Sequence, residues 1–177
     1  MNQRSEEKGI VGTAQVILTQ AMDYCAQKTG LDGSQAAIAH ARNTDGAECS
    51  GYCHYSVAKQ VAERLGVLDA NLKAAYIYDY DAAPEGFCYR QAGRAFPIHL
   101  IVWAERKTAA LNAVVNMWDR ALAESFAEMM GAHQPAHLLD VQVVDSTDVD
   151  NRMGYGALLS SLHNPPIRVW KREQPGA

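Results

Sequence analysis

A chain of 177 residues, 48% of them apolar, holds enough hydrophobic side chains for the core of one ordinary domain without disulfide or metal staples. Its formal net charge of −4 excludes a protein held on nucleic acid or anionic lipid by its overall field, so any such binding would have to be local. Apolar runs fall far short of the roughly 20 residues a membrane-spanning helix needs, and the opening MNQRSEEKGI mixes both charge signs without the apolar stretch of an export signal.

Residues 1–8 and 173–177 are polar and are expected to be flexible, with 9–172 forming a single domain. From Ile10 to Thr29, apolar residues recur at helical spacing as Ile10, Ala14, Ile17, Leu18, Ala21, Met22 and Cys25, and Gly30 supplies a C-terminal cap. A short alanine-rich helix over Ser34 to Arg42 follows. A third helix is expected over Ser50 to Leu65, capped by Ser50, with Cys53, Val57, Val61 and Leu65 stacked at four-residue steps. After Gly66 the period changes to two. Ala74 to Asp79 alternates, with Tyr76, Tyr78 and Tyr80 on one side and Ala75 and Ile77 on the other; Phe87 to Gln91 suits a second strand, and FPIHLIVWA, Phe96 to Ala104, suits a central strand covered on both faces.

Thr108 then caps a long amphipathic helix with a stripe of Leu111, Val115, Trp118, Leu122, Phe126 and Met129, which Gly131 ends. Leu138 to Val144 reads as a strand and Asp148 to Leu162 as a helix weakened by Gly154 and Gly156. A last strand is expected over Ile167 to Lys171. The fold class this implies is α+β: N-terminal helices, a three-strand antiparallel meander, a long helix and further strands, with the helices packed on one sheet.

The stretch AECSGYCHYSVAKQ offers the most conspicuous chemistry. Cys49, Cys53 and His54 supply at most three of the four ligands of a tetrahedral zinc site, with Cys88 or His99 needed to complete it. As a thiol enzyme or sensor, Cys53 would sit in the first helical turn after Ser50, where the helix dipole and His54 would lower its pKa. Against this, Cys53 heads the same apolar stripe as Val57 and Val61, so packing explains it more simply. With four cysteines and no export signal, the thiols are expected to be reduced and the protein soluble and cytoplasmic.

Glu85 stands at the entry to the second expected strand, and Glu105 and Lys107 close the central one as E-x-K. An acid, then E-x-K, then a helix and a strand resembles the core of the PD-(D/E)xK nucleases. The resemblance implies that Glu85 and Glu105 would hold Mg²⁺ and Lys107 would orient the attacking water. The plain alternative is a solvated charge cluster. The row of Tyr76, Tyr78 and Tyr80 could be a stacking platform for single-stranded nucleic acid, with Arg90 and Arg94 on the neighbouring expected strand as phosphate partners, or could simply pack beneath a helix.

Other patterns fail on inspection. SVAKQVAERLGVLDANL looks like the start of a helix-turn-helix, yet residues 70–80 alternate like a strand and carry one cation, Lys73. DSTDVDN lacks the glycine of an EF-hand loop, and GYGALLSSLHNPP lacks the Lys and Ser/Thr of a phosphate loop. The leading expectation is therefore a small, soluble, non-catalytic binding or accessory domain without a cofactor, whose partner is a protein or small molecule. Nucleic acid is not favoured and no membrane is involved. The metal-dependent nuclease and the Cys53 thiol protein stand as alternatives.

Overall fold

The computed structural model describes residues 3–43, 47–78, 97–163 and 165–173, with only the helical backbone described for 3–9 and 47–50. Three helices come first: α1 Gln3–Thr29, α2 Gly33–Asn43 and α3 Ala47–Leu68. They are followed by β1 Leu72–Ile77, β2 Ile98–Ala104, α4 Ala109–Met130, β3 Leu139–Val144, α5 Ser146–Asp150, a 3-10 helix Gly154–Ser160 and β4 Ile167–Lys171. This is a mixed helix and sheet architecture, as the change of period after Gly66 implies. No helix among the described residues is long and apolar enough to cross a membrane.

The four strands run in the order β3-β2-β1-β4. β1 pairs antiparallel with β2 (Ala75 opposite Val102, Ile77 opposite Leu100) and antiparallel with β4 (Ala75 opposite Trp170), while β2 and β3 run parallel (Leu100 opposite Val141). The expected three-strand meander is not what forms. Both edges of β1 and both edges of β2 are occupied by other described strands, so no middle strand fits between them. Phe87 to Gln91, the segment expected to fill that place, lies outside the described residues. The parallel β2–β3 pair follows from α4, which carries the chain back along the sheet before β3 begins.

One face of the sheet is covered by α3, which packs on β1, β2 and β4, and by α4, which packs on β3; α1 lies against α2, α3 and α4. The expected stripes meet in this core: Ala14, Ile17, Leu18, Ala21, Met22 and Cys25 of α1, Cys53, Val57, Val61 and Leu65 of α3, and Leu111, Val115, Trp118 and Leu122 of α4 are all buried. Leu72, Ala75, Ile77, Leu100, Val102 and Ala104 meet them from the sheet. The opposite face carries a smaller cluster of Tyr78, Ile101 and Val144, flanked by Tyr76 and Trp103 and covered by Val149, Leu158 and Leu159. The alternation of the AAYIYD stretch thus separates two real faces.

The cover on that second face is not the single helix expected over Asp148 to Leu162. α5 stops at Asp150, Arg152 and Gly154 take φ of 53° and 49°, and the chain resumes as a 3-10 helix. A capping box between Asp145 and Asp148 fixes the start of α5. Gly156 lies so close to α5 that a Cβ there would stand 2.6 Å from the Asp148 carbonyl oxygen. The left-handed turn and this close approach break the helix. The two pieces form a strap across the sheet.

Two polar anchors hold the layers in register. Asp119 of α4, buried, accepts hydrogen bonds from the backbone N–H groups of Leu138 and Leu139 at 2.7 and 2.8 Å and contacts His137 Nδ1 at 2.7 Å, pinning the entry to β3. Arg172, just past β4, donates to the carbonyls of Leu72, Gly66 and Asp69 and lies over the Trp170 ring. That ring occupies the space beside Gly66 that a Cβ would need.

Gly66→Ala gains up to about 1 kcal/mol in helix propensity, whereas overpacking against a ring already held by Arg172 costs about 1–3 kcal/mol. Net destabilisation is expected, measured as a lower urea midpoint with an unchanged slope. Asp119→Ala leaves the Leu138 and Leu139 N–H donors unpaired and is expected to cost about 2–4 kcal/mol in the same measurement.

Candidate functional site

The E-x-K end of β2 does not form a joint site among the described residues. Glu105 forms an ion pair with Lys73, whose ammonium also reaches Ser146 Oγ at 2.9 Å and lies over the Trp103 ring. Lys107 pairs instead with Asp148 of α5 at 2.6 Å. The hydrogen bond from Lys107 holds the Asp148 carboxyl below its usual range, and the same bond raises the Lys107 pKa. The two side chains thus tie different neighbours: Glu105 reaches β1, and Lys107 reaches the strap. Glu85 lies outside the described residues. Among the described residues, no group of three or more His, Cys, Asp or Glu side chains is placed to hold a metal ion.

Cys53 is buried at 3% exposure, and burial pushes its thiol pKa up to about 12. The reason for the difference from the expected activated thiol is the helix boundary. α3 starts at Ala47, so Ser50 is inside the helix and Cys53 lies well past the first turn, where the dipole no longer acts strongly. His54 is also buried. The backbone of Cys49 is helical but its side chain is not described, and Cys88 lies outside the described residues. The expectation of reduced thiols is corrected at Cys25, on the buried stripe of α1, which is disulfide-bonded.

A different group does converge, at the end of the sheet where β1 leaves and β2 enters. His99 of β2, Asp140 of β3 and Tyr78 just past β1 lie together because the parallel pairing sets His99 directly opposite Asp140, and Tyr78 N–H bonds to the His99 carbonyl. The Asp140 carboxylate gathers them. His99 Nδ1 is 2.9 Å from Oδ2, the Tyr78 hydroxyl donates to the same oxygen at 3.4 Å, and Gln142 Nε2 donates to Oδ1 at 2.8 Å. The Tyr78 ring stands 5.4 Å from His99 and 5.2 Å from Tyr155, with planes inclined at 57° and 61°.

Burial, a hydrogen bond with Tyr155 and the Asp140 charge all push the Tyr78 hydroxyl pKa upward, so it stays protonated and works as a donor. Tyr155 is 41% exposed and the Asp140 side chain 37%, so the group opens to solvent. Tyr76, two residues earlier, lies beside Arg168 of β4 and its pKa is raised by burial. Of the expected ligand-contact residues, Tyr78 therefore belongs to this group and Tyr76 stands next to it. Arg90 and Arg94 lie outside the described residues.

Strand alternation sets His99 on the same face as Ile101 and Trp103, but Asp140 meets His99 through the β2–β3 register, Gln142 joins through Asp140 and Tyr155 meets Tyr78 from the strap, and no linear spacing signals any of the three. Among the described residues, concavities also lie away from this group. One of about 460 Å³ runs along α1 and α4 beside Ile10, Val11, Met117 and Arg120, and one of about 320 Å³ lies between the end of α3 and the start of α4 beside Leu68, Asn71 and Thr108. In the smaller one Asp69 accepts hydrogen bonds from the Asn71 backbone and side chain, a local turn within two residues rather than a meeting of distant elements as at Asp140. Comparison with known proteins returns no match: no family model fits the chain, and no curated protein or solved structure is detectably similar to it.

Cys53 is expected to resist alkylation in the native protein at pH 8 and to react on unfolding, as mass spectrometry of iodoacetamide-treated samples will read. Because its folded pKa lies above the unfolded value of 9.0, the stability associated with the buried thiol is intact below pH 9 and declines as pH rises from there towards about 12. The urea midpoint is therefore expected to fall over that alkaline window, and less steeply in Cys53→Ala.

Proposed function

We propose that the chain is a non-catalytic binding domain and that its ligand is taken up at the exposed end of the sheet, by Tyr78, His99, Asp140 and Tyr155. One observation carries the reading: the Asp140 carboxylate collects a histidine, a tyrosine hydroxyl and a glutamine amide at an opening that the strap only partly covers. A polar cluster whose members fix one another's orientation is pre-organised, which lowers the entropic cost of meeting a ligand.

The alternatives draw less support. A nuclease would use Glu105 and Lys107 on one scissile phosphate, whereas each is engaged in its own ion pair. A thiol enzyme needs an accessible thiolate, which burial of Cys53 disfavours. Stacking of single-stranded nucleic acid needs open ring faces, and Tyr78 is only 9% exposed.

The test is a thermal-shift screen of amines, carboxylates, sugars and nucleotides, with hits followed by calorimetry and by NMR of the histidine and tyrosine rings. A ligand that moves the His99 and Tyr155 signals, and whose affinity drops at least about tenfold in His99→Ala without loss of fold, is the expected result. Chemical turnover of that ligand, or hits that leave both rings unmoved, would overturn the reading.

A further inference from the structure

The outer edge of β3 offers main-chain groups that only another strand matches well. Ile98 N–H bonds to the Leu138 carbonyl, so in the parallel ladder Leu138, Asp140, Gln142 and Val144 turn their main-chain groups towards β2, and Leu139, Val141 and Val143 turn theirs outward. The fold itself uses both ends of that outward row. Leu139 N–H bonds to Asp119, and Asp145 gives its N–H to Asp148 and accepts from Val149 N–H at its carbonyl. Between these ends, the N–H and C=O groups of Val141 and Val143 have no hydrogen-bond partner among the described residues. We propose that this edge joins a second copy of the chain, β3 antiparallel to β3, about a two-fold axis through Gln142.

Self-complementarity identifies the copy as the occupant. With Gln142 on the axis, Val141 of each chain faces Val143 of the other and each such pair exchanges both main-chain bonds, so the free groups of the two valines are satisfied by the same groups of the copy. Gln142 meets its own copy at a non-hydrogen-bonded position, where side chains come closest. Its amide gives one N–H to Asp140 and leaves the other for the matching amide. The strand carries one charge, Asp140, which faces Val144 of the copy and stands about 14 Å from the opposite Asp140, beyond the screening length of about 8 Å. The other outer edge, on β4, is unlike this one: Arg168 and Lys171 lie along it, Pro165 and Pro166 precede it, and a register shift interrupts its pairing with β1. Cations, prolines and bulges guard edge strands against pairing, and Leu139–Val144 has none of them. The assembly goes beyond the ligand reading and does not depend on it.

The experiment follows the full chain by sedimentation equilibrium and by NMR-detected amide exchange from about 20 μM to about 1 mM, a range that covers weak pairing through one strand edge. A monomer–dimer equilibrium is expected, with the Val141 and Val143 amides exchanging about threefold or more slowly at the top of that range than at the bottom, and Lys171 on the β4 edge unchanged. Val141→Pro removes an outward N–H without touching the ladder to β2, so it is expected to keep its circular dichroism and to weaken the dimer at least about tenfold. Gln142→Cys sets two thiols across the axis with Cα atoms about 4.5 Å apart, within disulfide reach. With oxidised glutathione taking up the two electrons and two protons, it is expected to give a covalent dimer joined at that position by peptide mapping, and Arg168→Cys is not. Should Val141→Pro fail to fold, the exchange rates and the cross-link decide. A chain that stays monomeric with fast Val141 and Val143 amides leaves the edge to a different protein and overturns the proposal. Slow exchange at those amides at every dilution means an edge covered from within the chain, with the same consequence. A dimer in which they stay fast, or one that Val141→Pro leaves as tight, overturns it too, and concentration-dependent protection without the Gln142→Cys cross-link overturns the axis through Gln142.

Discussion

Strand β2 is apolar at almost every position, with Ile98, Leu100, Ile101, Val102 and Ala104 each at or below 1% exposure, and the rest of the architecture answers its need to be kept from water on two faces. Its edges are filled by β1 and β3, one face is covered by α3 and α4, and the other by the α5 and 3-10 strap. Each Leu, Ile or Val kept from water there contributes about 1.5–3 kcal/mol, more than any single surface ion pair in the molecule. The polar groups then settle where this cover is thinnest. His99 is the polar residue that β2 carries inside its apolar run, and it emerges beside Asp140 at the strand's start.

The strap relates the two kinds of interaction. Val149, Leu158 and Leu159 bury against Ile101 and Val144, and the Lys107–Asp148 pair and the Lys73–Ser146 hydrogen bond fix where the strap begins. Tyr155, between those contacts, is thereby set against Tyr78. Charges that looked catalytic in sequence are thus part of what positions the opening. Ion pairs of this exposure stabilise weakly, but they choose one placement among several of similar hydrophobic energy. The break at Arg152 to Gly154 matters for the same reason, because a continuous helix would carry Tyr155 off on a different heading.

At the far side of the sheet, Arg172 and Trp170 close the structure over the end of α3. Three backbone carbonyls at the α3–β1 junction lose their water to one guanidinium, whose planar fork can meet them together. Asp119 does the equivalent work between α4 and β3. The roles of buried Asp119 and part-buried Arg172 are thus structural, far from the candidate site.

What the sequence determined by itself was local: the helical stripes of α1, α3 and α4, the Thr108 and Gly131 caps, the switch to alternation after Gly66, and the apolar β2 and closing β4. Each depends on periodicity or on a cap within a few residues, and such signals are written in adjacent side chains. Tertiary structure decided the rest. Whether β1 and β2 pair directly, whether β3 runs parallel, and whether residues 148–162 stay helical depend on edge pairing and on a close approach at Gly156, between groups distant in sequence or packing. The candidate site shows the contrast most clearly. Glu105 and Lys107 were conspicuous because they are two residues apart, yet each turned to a different partner. His99 and Asp140 are 41 residues apart and meet because parallel strand register puts one opposite the other, a distance no linear spacing encodes.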